Sequence, residues 1–88
     1  MAEVTATVAS TSGLHARPAQ LFVQAAQEAG IPVQISKDGG DPLDATSILG
    51  VMALGAKHGD KVTLTAEGDN ADEVLAKLAE VVETNLDA

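Results

Sequence analysis

The chain has 88 residues, 45% hydrophobic and 20% charged, the make-up of one small globular domain rather than two. Thirteen acidic against five basic residues leave a net charge of −8, and Arg17, Lys37, Lys57, Lys61 and Lys77 are scattered along the chain. That balance argues against nucleic acid and anionic lipid as partners, and a chain without cysteine has no disulfide, zinc–thiolate site or thiol nucleophile.

The opening MAEVTATVAS carries neither a basic n-region nor an apolar h-region, and no apolar run reaches membrane-spanning length. The expectation is a soluble cytoplasmic protein without membrane insertion. Glu3 to Val8 alternates, with Val4, Ala6 and Val8 on one face, and predicts a half-buried strand. Ser10 to Gly13 is a loop. From about Ala16 the period becomes helical: Ala19, Phe22, Ala26 and Ala29 share a face, and Gly30 stops the helix. Phe22 is the sole aromatic residue, so the core must be aliphatic.

Val33 and Ile35 alternate with Gln34 and Ser36 as a second strand. Gly39-Gly40 marks a turn, and Pro42-Leu43 forms a very short strand that proline confines to an edge or to its first position. Thr46-Ser47 precedes a short apolar helix, Ile48 to Leu54, closed near Gly55. Lys61 to Glu67 alternates with Val62, Leu64 and Ala66 inward. Asn70 caps a last helix whose stripe is Val74, Leu75, Leu78, Val81 and Val82. The order βαββαβα predicts an α+β domain spanning residues 1–88, with a four-stranded antiparallel sheet and three helices packed on one face.

Chemistry near neutral pH falls to His15 and His58. His15 stands where loop becomes helix, in SGLHARPA. The first N–H groups of a helix lack intrahelical acceptors and carry partial positive charge, which suits phosphate. Pro18 has no N–H to leave unpaired there, Arg17 adds a planar fork for phosphate oxygens, and Gly13 loosens the turn. The chemistry that fits is transient phosphorylation of the imidazole. A histidine at a helix start is also explained, from local sequence alone, as a cap or a solvated residue. His58, in a Lys-His-Gly-Asp turn, reads as a solvated turn residue rather than a ligand. Asp38, Asp41 and Asp44 miss calcium-loop spacing and read as a solvated hairpin. No metal site or cofactor is indicated. Ile48, Leu49, Val51 and Met52 are too dense for one buried face, so part of that helix should form an exposed docking patch.

SGLHARPA is similar to the active-site stretch of the HPr family, the histidine-containing phosphocarriers of the bacterial phosphoenolpyruvate:sugar phosphotransferase system. ATSILGVMALGAKHGDKV resembles that family's second signature, and the βαββαβα order agrees with its open-faced β-sandwich. The resemblance implies a phosphoryl carrier rather than an enzyme. His15 would accept phosphate on Nδ1 from phosphorylated enzyme I and pass it to the A domains of sugar-specific enzymes II, with Arg17 steadying the group. The expected phosphate-binding residues are Ser12, Ala16 and Arg17, and the expected partner-facing ones are Gln20, Gln24, Ile48, Leu49 and Met52. Ser47 corresponds to a serine phosphorylated by a dedicated kinase in some Gram-positive relatives, where it controls catabolite repression, so a serine kinase or a transcription regulator is a further partner that the resemblance suggests. The carrier is expected to act as a monomer.

The sequence departs from the family at Thr46, where many relatives have lysine, and at Gln24 and Gln27, which are basic in some. One extra residue between Asp38 and Asp44 moves Ser47 a place further from His15. These changes weigh on regulation at Ser47, whose alternative role is an N-cap, and leave His15 untouched. Rival readings are a regulatory interaction module of the same fold and a nitrogen-branch carrier not coupled to sugar uptake. The intact GLHARPA argues against the first.

A helix N-terminus and Arg17 both disfavour a second positive charge nearby. Free His15 is therefore expected to titrate below the ordinary imidazole value of about 6.5. Phosphorylation should raise that value, because a dianion favours ring protonation. NMR titration of the ring protons in both states checks this, and a free ring titrating at or above the ordinary value would contradict it.

Overall fold

The computed structural model describes residues 2–10, 13, 16–37 and 40–84. Alternation produces the strands β1 (Ala2–Thr7), β2 (Val33–Lys37), β3 (Leu43–Asp44) and β4 (Lys61–Ala66), and helical periodicity produces α1 (Ala16–Glu28), α2 (Ile48–Ala53) and α3 (Ala71–Val82). The element order is βαββαβα, as the sequence predicts.

The sheet runs β1-β4-β2-β3 and is antiparallel at every pairing. The last strand in sequence is thus inserted between the first two. Its register puts Val62 opposite Ala6, Leu64 opposite Ile35 and Ala66 opposite Val33, which gathers the inward set of three strands on one face. The other face carries the polar alternates Thr5 and Ser36, both opposite Thr63, with Gln34 opposite Thr65. A sheet with one apolar and one polar face is the usual antiparallel solution.

Helices cover the apolar face: α3 packs on β1 and β4, and α1 packs between α2 and α3. The core is aliphatic apart from Phe22, which is fully buried with Ile35, Leu64, Leu78, Val51 and Val62. Seven alanines of the described residues are buried too, among them Ala19 and Ala26 of α1, and such small side chains let the helix backbone lie close to its neighbours.

Several details differ from the sequence reading: α2 ends at Ala53 and β4 at Ala66, one residue before the expected Leu54 and Glu67. Val8 keeps its buried position but lies past the end of β1, because its backbone pairs with a loop: its N–H donates to the Asp60 carbonyl at 2.8 Å. Pro42 precedes β3 instead of opening it, since it has no N–H to give a ladder. Asn70 holds the N-cap position of α3 but makes no side-chain cap bond, its backbone lying outside the extended region at φ −111°, ψ 25°. The stripe of α3 is buried at Val74, Leu75, Leu78 and Val82, while Val81 is half-buried.

As the one aromatic side chain, Phe22 has no substitute volume around it. Phe22→Ala should lower unfolding free energy by about 3–5 kcal/mol through the lost burial and the cavity left behind. Urea denaturation measures it, and a loss under 1 kcal/mol would show that Phe22 does not organise this core.

Candidate functional site

The site is built on the turn that joins β1 to α1. His15, Ser12 and the side chain of Ala16 lie outside the described residues, as do Asp38 and Gly39 of the second loop. The frame that carries the turn is described on both sides of it.

Upstream, the chain is moored residue by residue. Gly59 N–H donates to the Val8 carbonyl at 2.9 Å, and Ala9 N–H donates to the Val82 carbonyl at the end of α3 at 3.1 Å. Ser10, buried in spite of its hydroxyl, donates from Oγ to the Thr84 carbonyl at 3.3 Å. The Ser10 carbonyl accepts the Gly13 N–H at 2.9 Å, closing the turn.

Gly13 is required twice over. Its φ of +75° lies in the left-handed region, which a side chain strongly disfavours. A Cβ there would also fall 2.8 Å from Lys57 Cα and closer still to the Ala56 carbonyl oxygen. The turn therefore lies backbone against backbone on the loop between α2 and β4. The sequence reading did not pair SGLHARPA with Ala56–Lys57. The signal available was the glycine itself, since close backbone approach is one of glycine's uses.

That loop is itself braced. Asp60 Oδ2 accepts the Lys57 N–H at 2.9 Å and lies 3.6 Å from Lys37 Nζ, which also donates to the Gly55 carbonyl at 3.3 Å. The Lys57 N–H holds the Asp60 carboxyl below the usual carboxylate range; desolvation opposes this, and the nearby Lys37 adds to the lowering. A carboxyl lowered in the folded state favours folding above its unfolded value and loses that effect as pH falls through the folded value. The brace is thus in place at neutral pH and weakens in acid.

Downstream, α1 opens at Ala16. Arg17 is exposed, while Pro18, Ala19 and Phe22 are buried and pin the helix within its first two turns. The electrostatics of this end are distinctive. No acidic residue stands in the first turn of α1, whereas α3 begins with Asp72 and Glu73. In a chain with thirteen acids, none occurs between Glu3 and Glu28. The first turn of α1 supplies no carboxylate of its own to neutralise the positive end of its dipole, a second signal present in the sequence and overlooked there.

Beside α1, Gln27 Nε2 donates to the Thr46 carbonyl at 3.0 Å, tying the helix to the start of α2. Asp44 Oδ1 accepts both the Thr46 hydroxyl at 2.6 Å and the Thr46 N–H at 2.9 Å, and these two bonds, the hydroxyl first, hold its carboxyl below the usual range. Ser47 is the N-cap of α2, its Oγ accepting Gly50 N–H at 3.3 Å.

The expected docking patch is smaller than the sequence reading made it. Leu49 is 77% exposed, but Ile48 and Met52 are half-buried and packed against the core. They lie four residues apart, on the face shared with buried Val51, so helical geometry turns them inward. Gln20 and Gln24 are exposed. His58 is exposed as expected, yet its Nδ1 lies 3.2 Å from the Ala9 carbonyl. Among the described residues no group of three or more potential metal ligands gathers.

A helix N-terminus with no acid in its first turn and an exposed Arg17 is an electrostatic setting that suits an anionic group. The sequence model of the "PTS HPr component phosphorylation site" matches residues 2–84, and the chain belongs to that HPr family. It is 42% identical over 87 residues to the phosphocarrier protein HPr of Streptomyces coelicolor, covering 99% of this chain and 94% of the relative. The crystal structure of a Thermoanaerobacter tengcongensis HPr superposes with a TM-score of 0.87 at 42% identity, over 94% of this chain and 92% of that one. The HPr-like protein Crh of Bacillus subtilis is 46% identical over 72 residues, 82% of this chain and 84% of Crh. The Crh crystal structure, a swapped dimer, superposes at a TM-score of 0.72 with 42% identity, covering 94% of each chain.

Gly13→Ala should destabilise the protein by ~1–2 kcal/mol for the left-handed backbone and a further ~1–3 kcal/mol for displacing the Ala56–Lys57 backbone. Urea denaturation gives the loss, and amide shift changes at residues 56–60 give its location. A variant with wild-type stability and an unchanged 56–60 segment would refute the close-approach account.

Proposed function

We propose that this chain is a phosphoryl carrier of the phosphoenolpyruvate-dependent phosphotransferase system in which His15 is the acceptor. The observation that carries the reading is the sequence GLHARPA running into an α1 N-terminus that has Arg17 and no acid beside it. The Nδ1 lone pair of a neutral imidazole attacks phosphorus of phosphorylated enzyme I. The bond from phosphorus to the donor breaks as the new nitrogen–phosphorus bond forms, and the group then leaves for an enzyme II A domain. The chain turns over as a protein substrate of its partners and works as a monomeric single domain.

Ser12, Ala16 and Arg17 are the residues proposed to meet the phosphoryl oxygens, Arg17 through its guanidinium. Gln20, Gln24 and Leu49 are proposed to meet the partners, with Ile48 and Met52 supporting Leu49 from beneath. Phosphorylation of Ser47 would compete with its capping bond to Gly50, so that regulatory role stands second to the structural one.

The test is incubation with phosphoenolpyruvate and enzyme I. Wild-type protein should acquire one acid-labile phosphoryl group, and His15→Ala should acquire none while keeping its fold by circular dichroism. Arg17→Lys should transfer more slowly, by roughly tenfold if the bidentate fork is worth about 1.4 kcal/mol, with little change in thermal stability. Comparable uptake by His15→Ala would overturn the reading, and equal rates for Arg17→Lys would remove the guanidinium from it.

A further inference from the structure

The second histidine has a partner that fixes its chemistry. Its Nδ1 lies 3.2 Å from the Ala9 carbonyl oxygen. A carbonyl only accepts, so Nδ1 must carry the proton, and in the neutral ring Nε2 keeps the lone pair. Ala9 is then held from both sides, by Val82 at its N–H and by His58 at its carbonyl. The peptide unit between Ala9 and Ser10 cannot turn without breaking the second bond. Ser10 in turn supplies the carbonyl that closes on Gly13 N–H, two residues before His15 in sequence. His58 sits on the same 56–60 segment against which Gly13 lies. The segment thus supports the turn twice, once by backbone contact and once through this ring.

We infer that His58 is a positioning residue for phosphoryl acceptance: its Nδ1–H, donated to the Ala9 carbonyl, holds the backbone that leads to His15. The kinetic part rests on the carrier reading above, and the ring chemistry does not. The Nδ1–H requirement also bars His58 from acting as a second acceptor through Nδ1, which separates the two histidines by role. Only a side chain with a donor on Cγ can replace it. Asparagine carries its amide nitrogen on Cγ, as histidine carries Nδ1, whereas glutamine places the nitrogen one bond further out.

The experiment combines long-range 1H–15N correlation of the ring at about pH 9, above imidazole titration, with rates of phosphate uptake from phosphoenolpyruvate and enzyme I. His58 is assigned by comparison with His58→Ala. The wild-type ring should show the Nδ1–H tautomer. His58→Ala should accept phosphate about two- to tenfold more slowly, as loss of one hydrogen bond implies, and exchange its Gly13 amide faster. His58→Asn should recover both, and His58→Gln neither. Urea midpoints within error of wild type for all three variants would place the effect in the turn and not in global stability. A ring in the Nε2–H tautomer overturns the proposal whatever the rates. Wild-type rates in His58→Ala overturn it as well. If wild-type protein takes up no phosphate, the carrier reading fails alone, and the tautomer with the Gly13 exchange rate decides the latch.

Discussion

A missing side-chain carbon governs this molecule. Gly13 brings two segments more than forty residues apart in sequence into backbone contact, and the absence of a Cβ is what makes that contact possible. The consequence runs outward in both directions. The 56–60 segment must be stiff enough to lean on, so Asp60, Lys37 and the Gly55 carbonyl clip it together. The β1 end must be fixed before the turn begins, so Val8, Ala9 and Ser10 each spend a backbone or hydroxyl group on that same loop, on the end of α3 or on Thr84 just past it. A phosphoryl-accepting ring needs its approach geometry set in advance, because misplacement of the reacting atom is costly in rate. On the proposed reading, that pre-setting comes from the bonds made by Val8, Ala9, Ser10 and Gly13.

The distribution of charge complements that geometry. A net charge of −8 would repel a phosphoryl dianion if it were spread evenly. Instead the acids are excluded from the stretch between Glu3 and Glu28, and they crowd where a helix N-terminus is to be satisfied internally, as at Asp72 and Glu73 of α3. The two long helices therefore have opposite fates at the same kind of end. One dipole is neutralised by its own first turn and serves stability. The other has Arg17 and no acid in its first turn, the setting that the proposed acceptance of a phosphoryl group calls for.

Most of the architecture could be read directly because its determinants are local. Alternation in Val4–Ala6–Val8, Val33–Ile35 and Val62–Leu64–Ala66 sets which side of a strand is buried whatever its neighbours are. The α1 and α3 stripes do the same for helices. Strand order is a different matter: nothing in the composition of β4 says that it lies between β1 and β2, since each edge offers the same pattern of apolar alternates. Non-local contacts were hidden for the same reason. The Gly13 approach to Ala56–Lys57, the His58 bond to Ala9 and the departure of Val8 from the ladder all depend on which loops the topology brings together. Asn70 shows the reverse limit, a residue of the right type at a cap position whose backbone conformation does not aim its side chain at the helix.

The short helix α2 shows how much apolar surface a shuttle can leave uncovered. With Ile48, Val51 and Met52 turned toward the core, the period of 3.6 residues leaves Leu49 pointing away from it, and it is the one large apolar side chain exposed among the described residues. On the proposed docking face, burying such a side chain supplies about 2 kcal/mol, against about 8 kcal/mol for a micromolar complex. One leucine therefore contributes to recognition without committing the carrier to a long-lived complex. Exposing Ile48 and Met52 as well would roughly triple that apolar contribution. Partners would then dissociate more slowly, since affinity changes within one interface fall mostly on the off-rate. Turning those two residues inward serves the core and the exchange of partners by the same rotation.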